Sequence, residues 1–319
     1  MAVAPSPDAL VEIREASKSF GDQVVLDGLD LIAPRGQIFG LFGPSGSGKT
    51  TTIRLICGLF EPTAGSVSVF GVSPHQFGRK HRERIGYMAQ QFVLYPTLSV
   101  LENLNFMASV YGLGWLRRRH RIRQVLEFVE LYEHRNKTVD KISGGMKRRL
   151  DLATVLLHRP ELLIMDEPTA GIDPLLREKF WEQFRALANE GRTLFITSQY
   201  LSEAENCDTV AILHQSRLIA VGSPLELRRH ALGGEILAIT TDRPVWEVMQ
   251  VLQRHPEVTR LEVRPEGGAW VYVSDAAATT PVLLNALQGA GLSASSIQPY
   301  VPPFDEIFAR LVRNVQVSH

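Results

Sequence analysis

A glycine-rich segment carries the clearest chemical signal in the sequence. Residues 43–50 read Gly-Pro-Ser-Gly-Ser-Gly-Lys-Thr, after the apolar run IFGLF and before the helix-like run TTIRLICGLF. Backbone N–H groups at a helix N-terminus bind phosphate oxygens, a lysine neutralises phosphate charge, and a threonine hydroxyl suits Mg²⁺. A glycine turn without a ligand is the alternative, and the flanking strand and helix argue against it. The residues predicted to surround the β- and γ-phosphates are Gly43, Pro44, Ser45, Gly46, Ser47, Gly48, Lys49, Thr50 and Thr51, with Thr50 on the metal.

Two carboxylates follow another buried run. Residues 162–165, LLIM, end at Asp166 and Glu167. Ligands of open α/β sheets bind at the carboxyl ends of the strands. We predict that Asp166 holds Mg²⁺ and that Glu167 polarises an attacking water. An acidic pair after a strand is common by itself, so this interpretation depends on the phosphate-binding segment.

The segment Ser143-Gly-Gly-Met-Lys147 opens an amphipathic helical pattern, RRLDLATVLLH. Its serine fits a helix N-cap followed by a flexible turn. It also fits a ligand-binding loop, and the local residues leave both interpretations open.

The elements that must position these residues alternate between strands and helices. Apolar runs begin at residues 38, 66, 84, 162, 193 and 209, with helical patterns between them, which is typical of an α/β fold. From residue 91 to 160 only helical periodicity appears, so we predict a helical insert. From about residue 234 the pattern becomes βαββαβ, which predicts a small second domain of the α+β class. Pairs of turn residues at 222–224 and 233–234 bracket a short linker helix.

Composition excludes several classes of protein. The 319 residues include 34 Lys and Arg against 34 Asp and Glu, so no overall cationic charge favours nucleic acid. Cys57 and Cys207 are too few for a disulfide framework and suit a reducing compartment. The first nine residues lack the pattern of a secretory signal and are predicted to be a flexible tail. No run is apolar and long enough for a transmembrane helix. The basic run 117–121, with Arg123 nearby, predicts a solvated helix face, with contact to phosphate or lipid as the alternative.

The order of five residues resembles the ATP-binding cassette (ABC) family: Lys49, Gln90, Ser143, Asp166 and Asp173. The resemblance covers about residues 10–229 and implies a P-loop NTPase nucleotide-binding domain. It implies further roles, which are adenine stacking for Phe20, a magnesium contact for Gln90, binding of the partner's γ-phosphate for Ser143, Gly144 and Gly145, and a place at the dimer seam for Asp173. Two chains would therefore enclose two ATP molecules.

Two positions depart from the family pattern. Met146 replaces the usual signature glutamine, and Gln199 stands where a switch histidine is normally found. Both substitutions, together with TAGIDP, YPTLSVLENL and the ending PPFDEIFARLVRN, are similar to ATPase subunits of ABC-2 exporters, including the daunorubicin-resistance type. We assign Gln199 a catalytic role beside Glu167, because its amide can donate to a phosphate oxygen.

The sequence thus predicts the ATPase subunit of a multi-subunit exporter. We expect a tail at 1–9, the nucleotide-binding domain at 10–229 with its helical part at about 91–160, a linker at 230–234 and an accessory domain at 235–319. ATP and Mg²⁺ are the expected cofactors, a homodimer and separate membrane permease subunits the partners, and the cytoplasmic membrane face the location. An ABC importer subunit and a soluble ABC ATPase acting on nucleic acid or ribosomes are the alternatives. The absence of zinc modules, of a second cassette and of net positive charge argues against the latter.

Overall fold

The computed structural model describes residues 9–264 and 267–317, so most of the tail predicted at 1–9 lies outside the described residues. The chain divides into two compact units, residues 1–221 and 222–319. This division lies earlier than the linker expected at 230–234. The reason is that helix α7 (Pro224–Leu232) packs against α10 (Phe304–Val317) and β10 (Glu235–Thr240), all within the second unit.

A small antiparallel sheet of three strands occupies one part of the first unit. Its order is β2-β1-β4, with β1 at Ala9–Phe20, β2 at Gln23–Pro34 and β4 at Ala64–Val69. Alternating apolar side chains of β1, such as Val11 and Ile13, are buried in a core that also contains Ile53 and Ile56. The sequence pattern predicts β4 as a strand, and the structure places it in this smaller sheet.

The larger sheet of the first unit carries the predicted chemistry. Its six strands have the order β5-β6-β7-β3-β8-β9. They are β3 (Ile38–Phe42), β5 (Ile85–Met88), β6 (Leu162–Asp166), β7 (Thr193–Ser198), β8 (Thr209–His214) and β9 (Arg217–Gly222). Strands β5, β6, β7, β3 and β8 pair in parallel. All residues of β3, β6 and β7 are buried, as continuous apolar runs predict for a parallel sheet covered on both faces.

Helices account for the rest of the first unit. Between β5 and β6 lie α3 (Val100–Val110), α4 (Trp115–Phe128) and α5 (Gly144–Leu156), and no strand is present in that stretch, as the periodicity predicts. A capping box between Ser99 and Glu102 starts α3, and Ser143 caps α5. The other helices are α1 (Lys49–Ile56), α2 (Arg79–Arg82) and α6 (Pro174–Asn189). Cys57 and Cys207 are both free, and burial raises the pKa of the Cys57 thiol to about 12.

The second unit has the predicted order of two βαβ halves. Strands β10, β11 (Val258–Val263), β12 (Ala269–Val273) and β13 (Ser296–Tyr300) form an antiparallel sheet in the order β11-β12-β10-β13. Helices α8 (Val245–Leu252) and α9 (Ala276–Gly289) pack together, and their side chains share a core with the sheet. Helix α10, which the sequence pattern does not predict, completes the unit. No helix in the described part of the chain is long and apolar enough to cross a membrane.

Candidate active site

The loop between β3 and α1 is shaped by glycine. Gly43 has no room for a side chain, because a Cβ there would lie 2.1 Å from the Leu213 carbonyl oxygen. Gly48 has φ +111° and would place a Cβ 2.6 Å from Leu26. Side chains are thus excluded by sterics at one position and by both sterics and backbone conformation at the other. The loop is therefore held close against the β8 and β2 backbones, directly before the start of α1.

Lysine 49 is buried at the base of this loop. Its ammonium group donates to the carbonyl oxygens of Gly43 at 2.9 Å and Pro44 at 3.1 Å, and only 5% of the residue is exposed. The same nitrogen lies 3.4 Å from a carboxylate oxygen of Glu167. A buried charge needs such partners. The ammonium is consequently held at the position where phosphate charge would enter the loop.

The carboxylate pair at the end of β6 reaches the same edge of the sheet. In the parallel register Asp166 is opposite Thr197 of β7, whose hydroxyl donates to Asp166 Oδ1 at 2.6 Å. Asp166 is 1% exposed. Since β6, β7 and β3 are neighbours, their carboxyl ends meet beside the phosphate-binding loop. The structure thus brings Asp166 to the edge where the sequence predicts it.

Glutamate 167 is held in an uncommon backbone conformation with φ +47°. Its N–H donates to the carbonyl oxygen and the hydroxyl of Thr197, both at 3.1 Å. One carboxylate oxygen faces Lys49, and the other accepts a hydrogen bond from Gln90 Nε2 at 3.1 Å. Such strain is maintained only where surrounding contacts enforce it. Lys49, Gln90 and Glu167 thus form one connected polar cluster.

Glutamine 199 reaches the phosphate-binding loop from the end of β7. Its Oε1 accepts a hydrogen bond from the Ser45 hydroxyl at 3.1 Å. Its amide NH₂ donates to none of the described residues, and the side chain is exposed. The NH₂ group is therefore free to donate to a phosphate oxygen.

The phosphate-binding loop, Gln90 and Glu167 border a cleft of 270 Å³, whose lining does not include Asp166 or Gln199. Its lining residues are Val25, Ser45, Gly46, Gly48, Lys49, Thr50, Thr51, Gln90 and Glu167. The Ser47 hydroxyl behind the loop is buried and has no hydrogen-bond partner among the described atoms. An orphaned buried hydroxyl and a buried ammonium both fit a bound phosphate chain. Val25 is a lining residue that the sequence patterns miss, because a lone valine in a strand carries no chemical signal.

The described residues contain no group of three or more His, Cys, Asp or Glu that could hold a metal. Thr50, Gln90 and Asp166 instead offer a hydroxyl, an amide and a carboxylate. These hard oxygen donors suit Mg²⁺, which usually shares its coordination among one or two carboxylates, water and substrate phosphates. The residues present therefore fit a magnesium ion bound together with a nucleotide.

A buried arginine on α5 supports the cleft from behind. The Arg148 guanidinium donates to the carbonyl oxygens of Glu167 and Pro168, both at 2.6 Å, and of Ala89 and Gln90 at 3.1 and 3.2 Å. The residue is 2% exposed, and burial lowers its pKa. One side chain thus fixes the backbone on both sides of the Gln90–Glu167 hydrogen bond. The sequence patterns miss it, because Arg148 lies within a run of basic residues whose helix faces are not distinguished.

The partner of Arg148 is Asp151, one turn further along α5. Their nearest charged atoms are 3.5 Å apart, and both side chains are buried. Burial raises the pKa of Asp151 to about 6, although Arg148 acts in the opposite direction. This carboxylate also accepts a hydrogen bond from the Val93 backbone, so the pair ties α5 to the chain just after Gln90.

Other predicted site residues lie outside the cleft lining. Ser143 and Gly144 are exposed at the start of α5, where the Ser143 hydroxyl accepts from the Met146 N–H at 3.2 Å. Asp173 is exposed and caps α6 by accepting from the Leu176 N–H. Phe20 is 45% exposed and packs edge-on against Phe60, with ring centroids 5.2 Å apart. Ser143, Gly144, Asp173 and Phe20 therefore contribute nothing to the lining of the described cleft.

Comparisons with known proteins extend this picture. A family profile described as "ABC transporter" matches residues 26–170. The probable multidrug ABC transporter ATP-binding protein YbhF of Escherichia coli K12 is 38% identical over 228 residues, which are 72% of this chain and 39% of that protein. The chain thus spans well under half the length of this relative.

A second relative matches over nearly its whole length. Nod factor export ATP-binding protein I of Cupriavidus metallidurans is 37% identical over 286 residues, which are 89% of this chain and 91% of that protein. Among solved structures, a dimeric ATP-binding cassette in a post-hydrolysis state, bound to ADP and phosphate, is similar with a TM-score of 0.61 and 26% identity. It covers 67% of this chain and 98% of that chain. The relative from Cupriavidus metallidurans thus matches most of this chain and most of its own length.

Proposed function

Because the chain belongs to the ABC transporter family of ATP-binding proteins, we propose that it is the ATP-hydrolysing subunit of an exporter and works as a homodimer. One observation carries the proposal: Lys49, Gln90, Glu167 and Gln199 converge on a single glycine-lined loop. The names of the relatives, multidrug transport and Nod factor export, support the exporter class. The transported substrate is a property of other subunits in such an architecture.

Each residue of the proposed site has a role in hydrolysis. Lys49 neutralises charge on the β- and γ-phosphates, and the loop N–H groups bind their oxygens. Thr50, Asp166 and Gln90 would hold Mg²⁺, which neutralises charge that develops on the phosphates. Glu167 orients the attacking water and accepts its proton. Gln199 donates its free NH₂ to the γ-phosphate.

The ion pair between Lys49 and Glu167 sets the order of events. At 3.4 Å the ammonium is shared between Glu167 and two backbone carbonyls. An entering γ-phosphate competes for that ammonium, and Glu167 is then released toward water. Gln90 would likewise lose its hydrogen bond to Glu167, which couples nucleotide entry to the segment that follows Gln90.

Shared sites explain the residues outside the cleft. Ser143 and Gly144 are exposed, and so is Leu175, with 76% of its surface accessible beside Asp173. We place Ser143, Gly144 and Gly145 against the partner's γ-phosphate and Asp173 at the seam. A solved cassette similar to this chain is a dimer bound to ADP and phosphate, which supports the proposal of a dimer.

A second exposed apolar surface supports the membrane partner. Directly after Gln90, Phe92, Val93 and Tyr95 are exposed to 49%, 67% and 46%, and Tyr95 packs edge-on against Phe106 at 4.8 Å. We propose that a separate membrane permease docks here and holds the chain at the cytoplasmic membrane face. Its movement would reach the cleft through Gln90.

Mixing variants tests the shared sites. Lys49→Ala disables the cleft half and Ser143→Arg the other half, so each homodimer is inactive. A mixed dimer, purified through a different affinity tag on each chain, keeps one intact site and should have about half of wild-type ATPase activity. The matched control is a chain with both substitutions mixed with wild type, because that heterodimer has no intact site. An active monomer, or equal rescue by the two types of heterodimer, contradicts the proposal.

A further inference from the structure

A second cleft in the first unit lies away from the nucleotide site. It has a volume of 540 Å³ and lies among α2, the turn that joins α3 to α4, and the segment after α5. Four guanidinium groups line it, those of Arg79, Arg117, Arg121 and Arg159. Among its lining residues Glu83 is the one carboxylate, and it is bound to Arg79 at 2.6 Å. The cleft therefore has an excess of positive charge.

The arginines of this cleft are held differently. Arg121 is fixed from below, since it donates to the carbonyl oxygens of Leu156 and Leu157. Burial and the nearby charge of Arg159 lower the pKa of Arg121 to about 10. The side chains of Arg117 and of His120, one turn further along, make no hydrogen bond or ion pair with the described residues. Like charges are thus gathered around open space, which an anion would neutralise.

Large apolar side chains stand beside this charge. Trp115 and Leu116 are 77% and 82% exposed, and they lie in the chain between Gly114 and Arg117, both of which line the cleft. Val110, at the end of α3, is 63% exposed. Tryptophan and leucine beside arginine are typical of segments that lie in the boundary between lipid headgroups and acyl chains. A soluble anion gains nothing from these side chains.

We propose that this cleft binds the phosphate of an anionic phospholipid in a bilayer, while Trp115 and Leu116 insert beside the headgroup. The guanidinium groups converge on one cleft and do not follow a groove, so a single phosphate fits better than a nucleic acid strand. The site contains no residue of the nucleotide cleft. It would give the chain a lipid contact independent of the permease and of ATP hydrolysis.

Vesicle binding of the full chain tests the proposal. The probes are vesicles of phosphatidylcholine alone and with one third phosphatidylglycerol, soluble glycerol phosphate, and a single-stranded RNA oligomer. We expect cosedimentation with the anionic vesicles and at least tenfold weaker binding to neutral ones. Removing two charges, in Arg117→Gln with Arg159→Gln, weakens anionic vesicle binding about 30-fold. The matched control, Arg243→Gln with Arg254→Gln in the second unit, removes equal charge from exposed positions and leaves binding within threefold.

Substitution of the exposed apolar side chains distinguishes binding of a lipid from binding of free phosphate. Trp115→Ser with Leu116→Ser reduces vesicle binding at least tenfold. All variants keep wild-type ATPase activity in solution, which verifies their folding. Equal binding to neutral and anionic vesicles, equal losses in the cleft and control variants, vesicle binding unchanged by the apolar substitutions, or tighter binding of glycerol phosphate or RNA than of vesicles would each overturn the proposal.

Discussion

The two halves of the proposed ATP site are built in opposite ways. Gln90 is hydrogen-bonded to Glu167, 77 positions away in sequence, and Lys49 contacts Glu167 from still further away in the sequence. Lys49 and Glu167 are buried. Ser143 is bonded only to its own helix, three residues away, and is exposed with Gly144. The difference indicates that one half is assembled within a chain, whereas the other half is exposed and, in the proposed homodimer, would be presented to a second chain.

One residue connects the two halves. Arg148 lies five residues after Ser143 on α5 and holds the carbonyl oxygens of Gln90 and Glu167. Because a helix moves as a unit, a force on Ser143 at the proposed interface would reach the chain's own cleft through this guanidinium. The exposed half and the buried half are thereby joined without a hinge between them.

The largest effect is expected when the general base, Glu167, is removed from the half of the site that is built within one chain. In Glu167→Gln the amide keeps its shape but cannot accept a proton, so the rate of ATP hydrolysis falls 10²- to 10⁴-fold. ATP binding remains, and the ATP-bound variant accumulates as a dimer in size-exclusion chromatography. Glu178→Gln, at an exposed position of α6, is the control and keeps the wild-type rate. A Glu167→Gln enzyme as fast as wild type would exclude the assigned role.

The connection between the halves is tested at Arg148. Arg148→Gln leaves several buried carbonyl oxygens and Asp151 without their partner, which costs about 3 kcal/mol of folding free energy. The thermal unfolding midpoint should fall by about 6 to 12 °C. Arg149→Gln is the matched control, because this neighbour makes a half-exposed ion pair with Glu130 whose loss costs about 1 kcal/mol at most.

A positioning role for Arg148 also predicts a kinetic effect. In Arg148→Gln assayed well below its unfolding temperature, kcat falls while the KM for ATP changes little, since the loop around Lys49 stays intact. Equal midpoints for the Arg148 and Arg149 variants, or a loss confined to KM, would contradict the connection.

Substitutions of Gln199 test the part of the site at the rim of the cleft. Gln199→Ala loses one donor to the transition state and should reduce kcat about 10²-fold. Gln199→His keeps a donor and gains a titration near neutral pH, so its rate acquires a pH dependence between about pH 6 and 7. Gln183→Ala on α6 is the control, since that amide bonds to Phe128 away from the cleft. A wild-type kcat in Gln199→Ala would show that Gln199 has no role in hydrolysis.

The smallest expected effect concerns the second unit. Neither half of the site takes a residue from 222–319, so a chain ending at Val221 should bind ATP within threefold of the full-length affinity. Equilibrium binding of a fluorescent ATP analogue measures this. A soluble truncated chain that fails to bind ATP would show that the first unit depends on the second.

Much of the site follows from local sequence. The loop 43–50 is recognisable because phosphate binding needs glycines and a lysine at fixed spacing along one continuous backbone. Asp166 and Glu167 are predictable because a buried strand ends at them, and α3 and α5 because a capping serine directly precedes each of them. The βαββαβ order of the second unit follows from alternating periodicity in the same way.

Contacts between distant segments were decided by the tertiary structure alone. The hydroxyl bond from Ser45 to Gln199, the place of Val25 in the cleft and the five-strand parallel register depend on which strands become neighbours. The start of the second unit depends on the packing of α7 against α10. Arg148 is the clearest case, because its neighbours in sequence are also basic and only the burial of one helix face selects it. Periodicity and motifs are properties of one segment, whereas such partners are fixed when segments pack together.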